Sequence, residues 1–310
     1  MQRYTLENIR KVLQNPEYVG WEVQRIYFDI RYRSNAIDVM NEDWDNLILL
    51  DACRYDYFDD HNTIPGDLSE IISHGGQSWE FMQGNFVGKQ FHDTVYVTAN
   101  PHTGKLDDDT FHAVEPLYID IWSEEHETVL PSDVVEAALD AYREYPNKRL
   151  IIHFMQPHRP YLGDAAEDLQ SRHKIGGFNR HLAHSSETPD APSFSTLIED
   201  GQISVDKART AYRETLDIVL HQVRILVEQL SGKTVVSADH GEMLGERIIP
   251  FTTPKFGHSH EYIRNKTLYQ VPWLEIPADE RRETHGENPV KFAPGDSETV
   301  KNRLRSLGYE

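Results

Sequence analysis

Three short runs in this chain are apolar almost throughout and stop where chemistry can begin. NLILL at 46–50 runs into Asp51, and TVVSA at 234–238 runs into the pair Asp239-His240. RLIIHFM at 149–155 carries His153 and leads into Gln156-Pro157-His158. A strand with one wet face alternates apolar and polar residues. Unbroken apolarity instead means burial on both faces, which is the habit of a parallel sheet covered by helices. Further strands are expected at TVYVTA (94–99), LYIDIW (117–122) and VPWLEI (271–276). Between them PSDVVEAALDAYREY opens at Pro131 with acidic residues early, as a helix start prefers. DKARTAYRETLDIVLHQVRILVEQL, from Asp206, sets Leu216, Val219, Leu220, Val223 and Leu226 on one stripe. This alternation predicts an α/β fold, a three-layer αβα sandwich with a mostly parallel central sheet.

One domain is expected over residues 1–310. Its parts would be an N-terminal helical cover (1–43), a lid insertion without periodicity (163–205) and a polar C-terminal tail (277–310) ending in a short helix at SETVKNRLRSLGY. A net charge of −20, from 51 acidic and 31 basic residues, excludes nucleic acid as a partner, because phosphates would be repelled. The basic residues divide into 20 Arg and 11 Lys. An acidic, lysine-poor surface fits a halophilic protein, with an ordinary acidic protein as the alternative. Cys53 is the single cysteine, so no internal disulfide and no Cys-cluster metal site is possible. No signal-peptide core and no run of ~18 apolar residues occurs, so no membrane segment and a cytoplasmic location are expected.

Ligands of a parallel α/β sheet bind beyond the carboxyl ends of its strands. Asp51, His153, His158, Asp239 and His240 all fall at such ends, and FGHSHEY adds His258 and His260. Carboxylates mixed with imidazoles favour Mn²⁺ or Zn²⁺ over the oxygen cages of Ca²⁺ or Mg²⁺. One or two divalent ions are expected.

The motifs LILLDACRYD, HFMQPHRPY, SADHGEMLGE and FGHSHEY, in that order, resemble the alkaline phosphatase/sulfatase superfamily, most closely its sulfatase-like haloarchaeal members. The resemblance spans about residues 44 to 276. It implies an alkaline phosphatase-like domain with one or two metals beside a covalent nucleophile. It further implies Asp51, Asp239 and His240 as first-metal ligands and His258 as a second-metal or substrate ligand, with His260 its competitor. His158 would reach the substrate anion or a second metal, with His153 and Arg54 as further substrate contacts; Arg54 could equally pair with a carboxylate. Family nucleophiles follow the first Asp by some tens of residues at a helix N-terminus. SHGGQSWEFMQGNF fits, with Ser78 as N-cap and nucleophile, and Ser73 and Thr63 as alternatives.

Two departures shape the expected chemistry. Sulfatases make formylglycine from Cys or Ser in a C/S-x-P-x-R setting, and neither Ser78 nor Cys53 has one. An unmodified serine favours phosphate esters, so a metal-dependent hydrolase or phosphotransferase on an anionic small-molecule or glycan ester is expected. A sulfuric ester hydrolase and a non-catalytic anion- or glycan-binding relative are the alternatives. The second departure is Phe154, which stands where the family places a second-metal Asp. On that pattern the second site lacks its carboxylate.

Overall fold

A computed structural model describes residues 17–173, 194–248, 254–258 and 263–290. It begins with helix α1 (Glu17–Arg31), strand β1 (Asn46–Asp51), α2 (Tyr55–His61), β2 (Asp67–Ile72), α3 (Ser78–Asn85) and β3 (Phe91–Thr98). Then come β4 (Phe111–Pro116), the single turn α4 (Leu117–Asp120), α5 (Pro131–Glu144), β5 (Arg149–Pro157), α6 (Asp164–Arg172) and α7 (Phe194–Glu199). The long α8 (Val205–Val227), β6 (Thr234–Ala238), the pair β7 (Met243–Glu246) and β8 (Lys255–Gly257), α9 (Lys266–Tyr269) and β9 (Gln270–Ile276) complete it.

Seven strands form one sheet in the order β2-β9-β6-β1-β5-β3-β4. The apolar runs that flagged the fold, β6, β1 and β5, are its centre and run parallel, as do β3 and β4. Only β9 is antiparallel, lying between β6 and β2. Leu47, Ile48, Leu49 and Leu50 have no exposed surface; complete burial of each is worth about 1.5–3 kcal/mol. Helices α5 and α8 pack on each other and on β5. The α8 stripe is buried as its spacing requires, and Ser204 caps the helix by accepting from the Lys207 N–H. Helix α3 contributes Phe81, and Phe86 just past its end meets Tyr96 and Phe111 edge-on at 5.7 and 5.2 Å.

Two edge elements differ from expectation. The run at 117–122 is not a strand: Pro116 closes β4 and the chain turns into α4. Pro116 has no N–H for a further ladder bond, so the strand falls on FHAVEP instead. Strand β2, DLSEII, has a largely exposed surface at the opposite edge, and its polar sequence gives no apolar run to read. Within 163–205, helices α6 and α7 occupy part of what reads as an irregular insertion. From 277 to 290 the chain straps the sheet's rim. Arg281 pairs with Asp43 and Asp45, and the N–H groups of His285, Glu287 and Val290 donate to Asn147, His92 and His112 carbonyls. The helix expected near the C-terminus and the ligand candidate His260 lie outside the described residues. No described helix is long and apolar enough to cross a membrane.

Candidate active site

Four neighbouring parallel strands end on one rim, and each brings a polar group there. Asp51 closes β1, Asp239 and His240 follow β6, His153 lies within β5, and Asn100 follows β3. The β1–β5 register slips between Leu50↔Phe154 and Asp51↔Pro157, so β5 carries extra residues at the rim. This bulge re-aims the chain so that the His158 N–H donates to the Asp51 carbonyl at 3.1 Å.

Asp51, His153 and Asp239 present ligand atoms within 4.8 Å of one another, all fully or almost fully buried. His240 Nε2 stands 3.5 Å from both Asp51 Oδ1 and Asp239 Oδ2, and His153 Nε2 stands 3.6 Å from Asp239 Oδ2. Asp51 Oδ1, His153 Nε2 and Asp239 Oδ2 have no hydrogen-bond partner among the described residues, although each is shut off from solvent. The other atoms of these groups are engaged. Asp239 Oδ1 accepts from the Ala52 and His240 N–H groups at 3.1 and 2.8 Å, and Asp51 Oδ2 accepts from Asn100 Nδ2 at 2.7 Å. Ala52 holds a left-handed φ of 59° to make its bond, a strained conformation of the kind that collects at functional sites.

The imidazoles are oriented by a shared device. His240 Nδ1 bonds the Gly241 carbonyl at 2.7 Å, His158 Nδ1 the Arg159 carbonyl at 2.5 Å, and His153 Nδ1 the Tyr96 hydroxyl at 2.7 Å. A carbonyl can only accept, so His240 and His158 carry their proton on Nδ1 and keep Nε2 as the basic nitrogen, the arrangement of metal-ligating histidines. Burial depresses His240, and drives His158 well below the ordinary imidazole range. Burial and the Asp239 charge push Asp51 well above the usual carboxylate range. Burial opposes ionisation of Asp239 as well, but His240 and His153 outweigh it and hold that carboxyl low.

Beside this group stands a second one, His158, Glu242 and His258, again with ligand atoms within 4.8 Å. The His240 and His258 rings are 4.4 Å apart and His158 and His258 5.1 Å apart, so the groups adjoin. Glu242 is buried and lies 3.2 Å from His258 Nδ1. Burial alone would raise it, yet His258 wins and brings it to about 2. A buried carboxylate thus stands in this second group, from position 242 rather than 154. Phe154 is core, and Glu242, two residues beyond the Asp-His pair, takes the acidic place.

Ser78 Oγ lies 3.2 Å from Asp51 Oδ2 and 3.3 Å from His240 Nε2. It is the first residue of α3; Gln77 holds the cap position, without a side-chain cap bond, so the expected N-cap role is displaced by one residue. The rival Ser73 has its hydroxyl committed, donating to the Asp239 carbonyl at 2.5 Å and accepting from Gly75 N–H at 3.2 Å. Thr63 is exposed in the turn between α2 and β2. His153, expected as a substrate contact, sits in the buried group with Asp51 and Asp239. Arg54 is spent on carboxylates and a carbonyl: it pairs with Asp56 at 2.6 Å and Glu246 at 2.5 Å and donates to the Glu242 carbonyl. Cys53 is buried, and burial raises its thiol well above the ordinary range. Gly241 explains the glycine after Asp239-His240. Its N–H donates to Leu268 O at 2.8 Å, and a Cβ there would fall 2.0 Å from the Thr267 carbonyl oxygen. Glu242, Asn100 and Tyr96 are the residues that sequence reading missed; only Glu242 left a signal, as an acid beside the Asp-His-Gly turn.

No family model matches this sequence, and no curated protein sequence does. Solved structures are similar in fold. The C-terminal periplasmic domain of EcEptC from Escherichia coli, in complex with zinc, is 12% identical at TM-score 0.49, with 78% of this chain and 75% of that one covered. The soluble domain of lipooligosaccharide phosphoethanolamine transferase A from Neisseria meningitidis is 13% identical at TM-score 0.45, covering 75% and 76%. A protein in the alkaline phosphatase superfamily from Vibrio parahaemolyticus is 8% identical at TM-score 0.43, covering 77% and 60%. A 2-O GAG sulfatase is also among the matches.

Proposed function

We propose that this chain is a metal-dependent enzyme of the alkaline phosphatase/sulfatase superfamily that hydrolyses or transfers a phosphate ester through Ser78. One observation carries the reading: three buried ligand atoms without partners, Asp51 Oδ1, His153 Nε2 and Asp239 Oδ2, converge beside the Ser78 hydroxyl. Leaving such atoms unsatisfied costs about 1–3 kcal/mol apiece, more for charged groups. A divalent cation satisfies all three together, and the mixed oxygen and nitrogen donors suit Zn²⁺ or Mn²⁺. Asp51, His153, Asp239 and His240 would hold the first ion, and His158, Glu242 and His258 a second.

Bound there, a divalent ion supplies positive charge that lowers the serine hydroxyl pKa and offsets charge on the transferring group. The chain does the rest. Asn100 fixes Asp51, and Asp51 in turn accepts from the Ser78 hydroxyl, which holds Oγ at the rim. Ser78 lies in the first turn of α3, where backbone N–H groups have no intrahelical acceptor and favour an anion. Oγ attacks phosphorus, the ester oxygen leaves, and the resulting phosphoserine passes its phosphoryl group to water or to an acceptor alcohol. The buried Cys53 and the Trp79-Glu80 that follow Ser78 leave no formylglycine, which favours phosphate over sulfate.

Para-nitrophenyl phosphate, its bis ester and para-nitrophenyl sulfate, assayed with Mn²⁺ or Zn²⁺ at high salt, test this. Phosphate ester turnover, with acid-stable phosphate on Ser78 after quenching, is expected. A dominant sulfatase rate, or an aldehyde at Ser78 or Cys53 by mass spectrometry, overturns it.

A further inference from the structure

The chain next to the candidate nucleophile builds a second polar feature that the reaction above does not use. Trp79 follows Ser78, and its indole stacks on the His102 imidazole, with ring centroids 6.5 Å apart and planes 23° from parallel. Lys105 Nζ stands 5.3 Å from the Trp79 ring centre and 2.9 Å from His102 Nδ1. His102 and Lys105 belong to the turn Pro101–Lys105 that follows β3. That turn is tied to the centre through the Asn100 side chain, whose Nδ2 donates to Asp51 while its Oδ1 accepts from the His102 N–H at 2.9 Å.

Among the described lysines, Lys105 and Lys255 reach an aromatic face rather than a carboxylate, Lys255 standing 5.0 Å from the Trp21 ring centre. In this strongly acidic chain Lys89, Lys148, Lys207, Lys233 and Lys266 each reach a carboxylate within 4.0 Å. Lys105 makes no ion pair among the described residues, although Asp107, Asp108 and Asp109 follow just beyond Leu106. It is exposed, and lies over an aromatic face instead. An ammonium can only donate, so His102 Nδ1 accepts from it and the ring proton of the neutral imidazole is on Nε2. Burial and Lys105 hold His102 down to about 4, so the ring stays neutral at ordinary pH. A cation and an N–H donor thus stand together on an indole platform one residue from Ser78.

We infer that Trp79, His102 and Lys105 form a subsite for a second, non-reacting anionic group on the substrate. The inference rests on the reading of Ser78 as the reacting residue and narrows its substrate class to esters bearing a further phosphate or carboxylate. Lys105 supplies the charge, His102 a second donor, and Trp79 the apolar surface against which the intervening carbons lie.

The test compares phenyl phosphate with 4-carboxyphenyl phosphate on metal-loaded protein. Affinity is read by titration calorimetry on Ser78→Ala, which does not depend on turnover, and kcat and KM are read on the parent. The carboxylated probe is expected to bind about fivefold tighter, as one exposed charge-assisted contact allows. Lys105→Met should abolish that preference while leaving phenyl phosphate unchanged, and Lys105→Arg should restore it. Raising the salt should shrink it. Glucose 1,6-bisphosphate and glycerol 1,3-bisphosphate then tell a ring-borne from a chain-borne anion. Equal affinity for both phenyl probes in Ser78→Ala, or an equal loss for both when Lys105→Met is added to it, overturns the subsite. Absence of parental turnover with the calorimetric preference intact overturns the proposed reaction and leaves the subsite standing.

Discussion

Separate removal of the two ligand groups offers a quantitative view of the centre. Asp239→Asn keeps an oxygen for the Ala52 and His240 N–H groups but turns the unpartnered Oδ2 into a donor. Glu242→Gln does the same to the second group, preserving size and removing charge. A ligand at 100 times its Kd stabilises a folded protein by about 2.7 kcal/mol. Unfolding entropy near 2.1 cal/mol/K per residue gives about 0.65 kcal/mol/K for 310 residues. Each filled site should therefore raise Tm by about 4 °C, and two sites by about 8 °C, when calorimetric melts with metal are compared with melts in chelator. Glu242→Gln should retain about 4 °C and bind one ion; Asp239→Asn should lose the first-site share. Without metal, Asp239→Asn should melt no lower than the parent, because one of two crowded buried carboxylates is gone. Two ions and the full shift in Asp239→Asn would refute the assignment of the first site.

Ser78→Ala should leave Tm within about 1 °C, since Ser78 makes no capping bond, and should cut kcat about a thousandfold or more while abolishing the trapped phosphoserine. Gly241→Ala forces a Cβ onto the Thr267 carbonyl and should cost about 1–3 kcal/mol, a fall in Tm of about 2–5 °C; an unchanged melt would contradict the close packing. Protons compete with metal for the Asp51 carboxylate, which burial and the Asp239 charge push well above its usual range, so metal affinity should fall as pH drops from neutrality and recover on return; His240 and His158, depressed by burial, add to the loss only below the ordinary imidazole range. Isothermal titrations at pH 5.5 and 7.5 give the sign, and tighter binding in acid would count against this ligand set.

The centre of the sheet was legible because burial on both faces leaves a strand no polar choices: β1, β5 and β6 read directly as apolar runs, and their ends marked Asp51 and the Asp239-His240 pair. Edges were not. Strand β2 spends most of its surface on solvent, and β4 gave way to the more apolar but helical 117–120. The site divided in the same way. Residues adjoining a readable strand end could be found, whereas Asn100 and Tyr96 matter only because β3 lies beside β5, a register that no local pattern encodes. Glu242 was passed over because a carboxylate was sought on β5. The fold instead brings one from the β6–β7 turn, on the far side of β1 from β5, to stand beside His158 and His258. Two glycines and a helix start point to Ser78, but the helix begins one residue earlier than an N-cap at Ser78 implies, with Gln77 at the cap.

Strand β9 has a consequence for when the centre can exist. Among the described strands it is the one neighbour of β2 in the sheet and the outer neighbour of β6. The turn from β2 to Ser78 is pinned by Ser73 to the Asp239 carbonyl, while Gly241 rests on the carbonyls of Thr267 and Leu268 just ahead of β9. During synthesis the ligands from 51 to 242 leave the ribosome before this last strand does. Until residues 266–276 emerge and slot between β2 and β6, the serine loop and the Asp-His turn have no common wall. The growing chain carries nearly all the candidate donors yet offers no finished cradle, so a metal held as proposed would be captured only once β9 is in place.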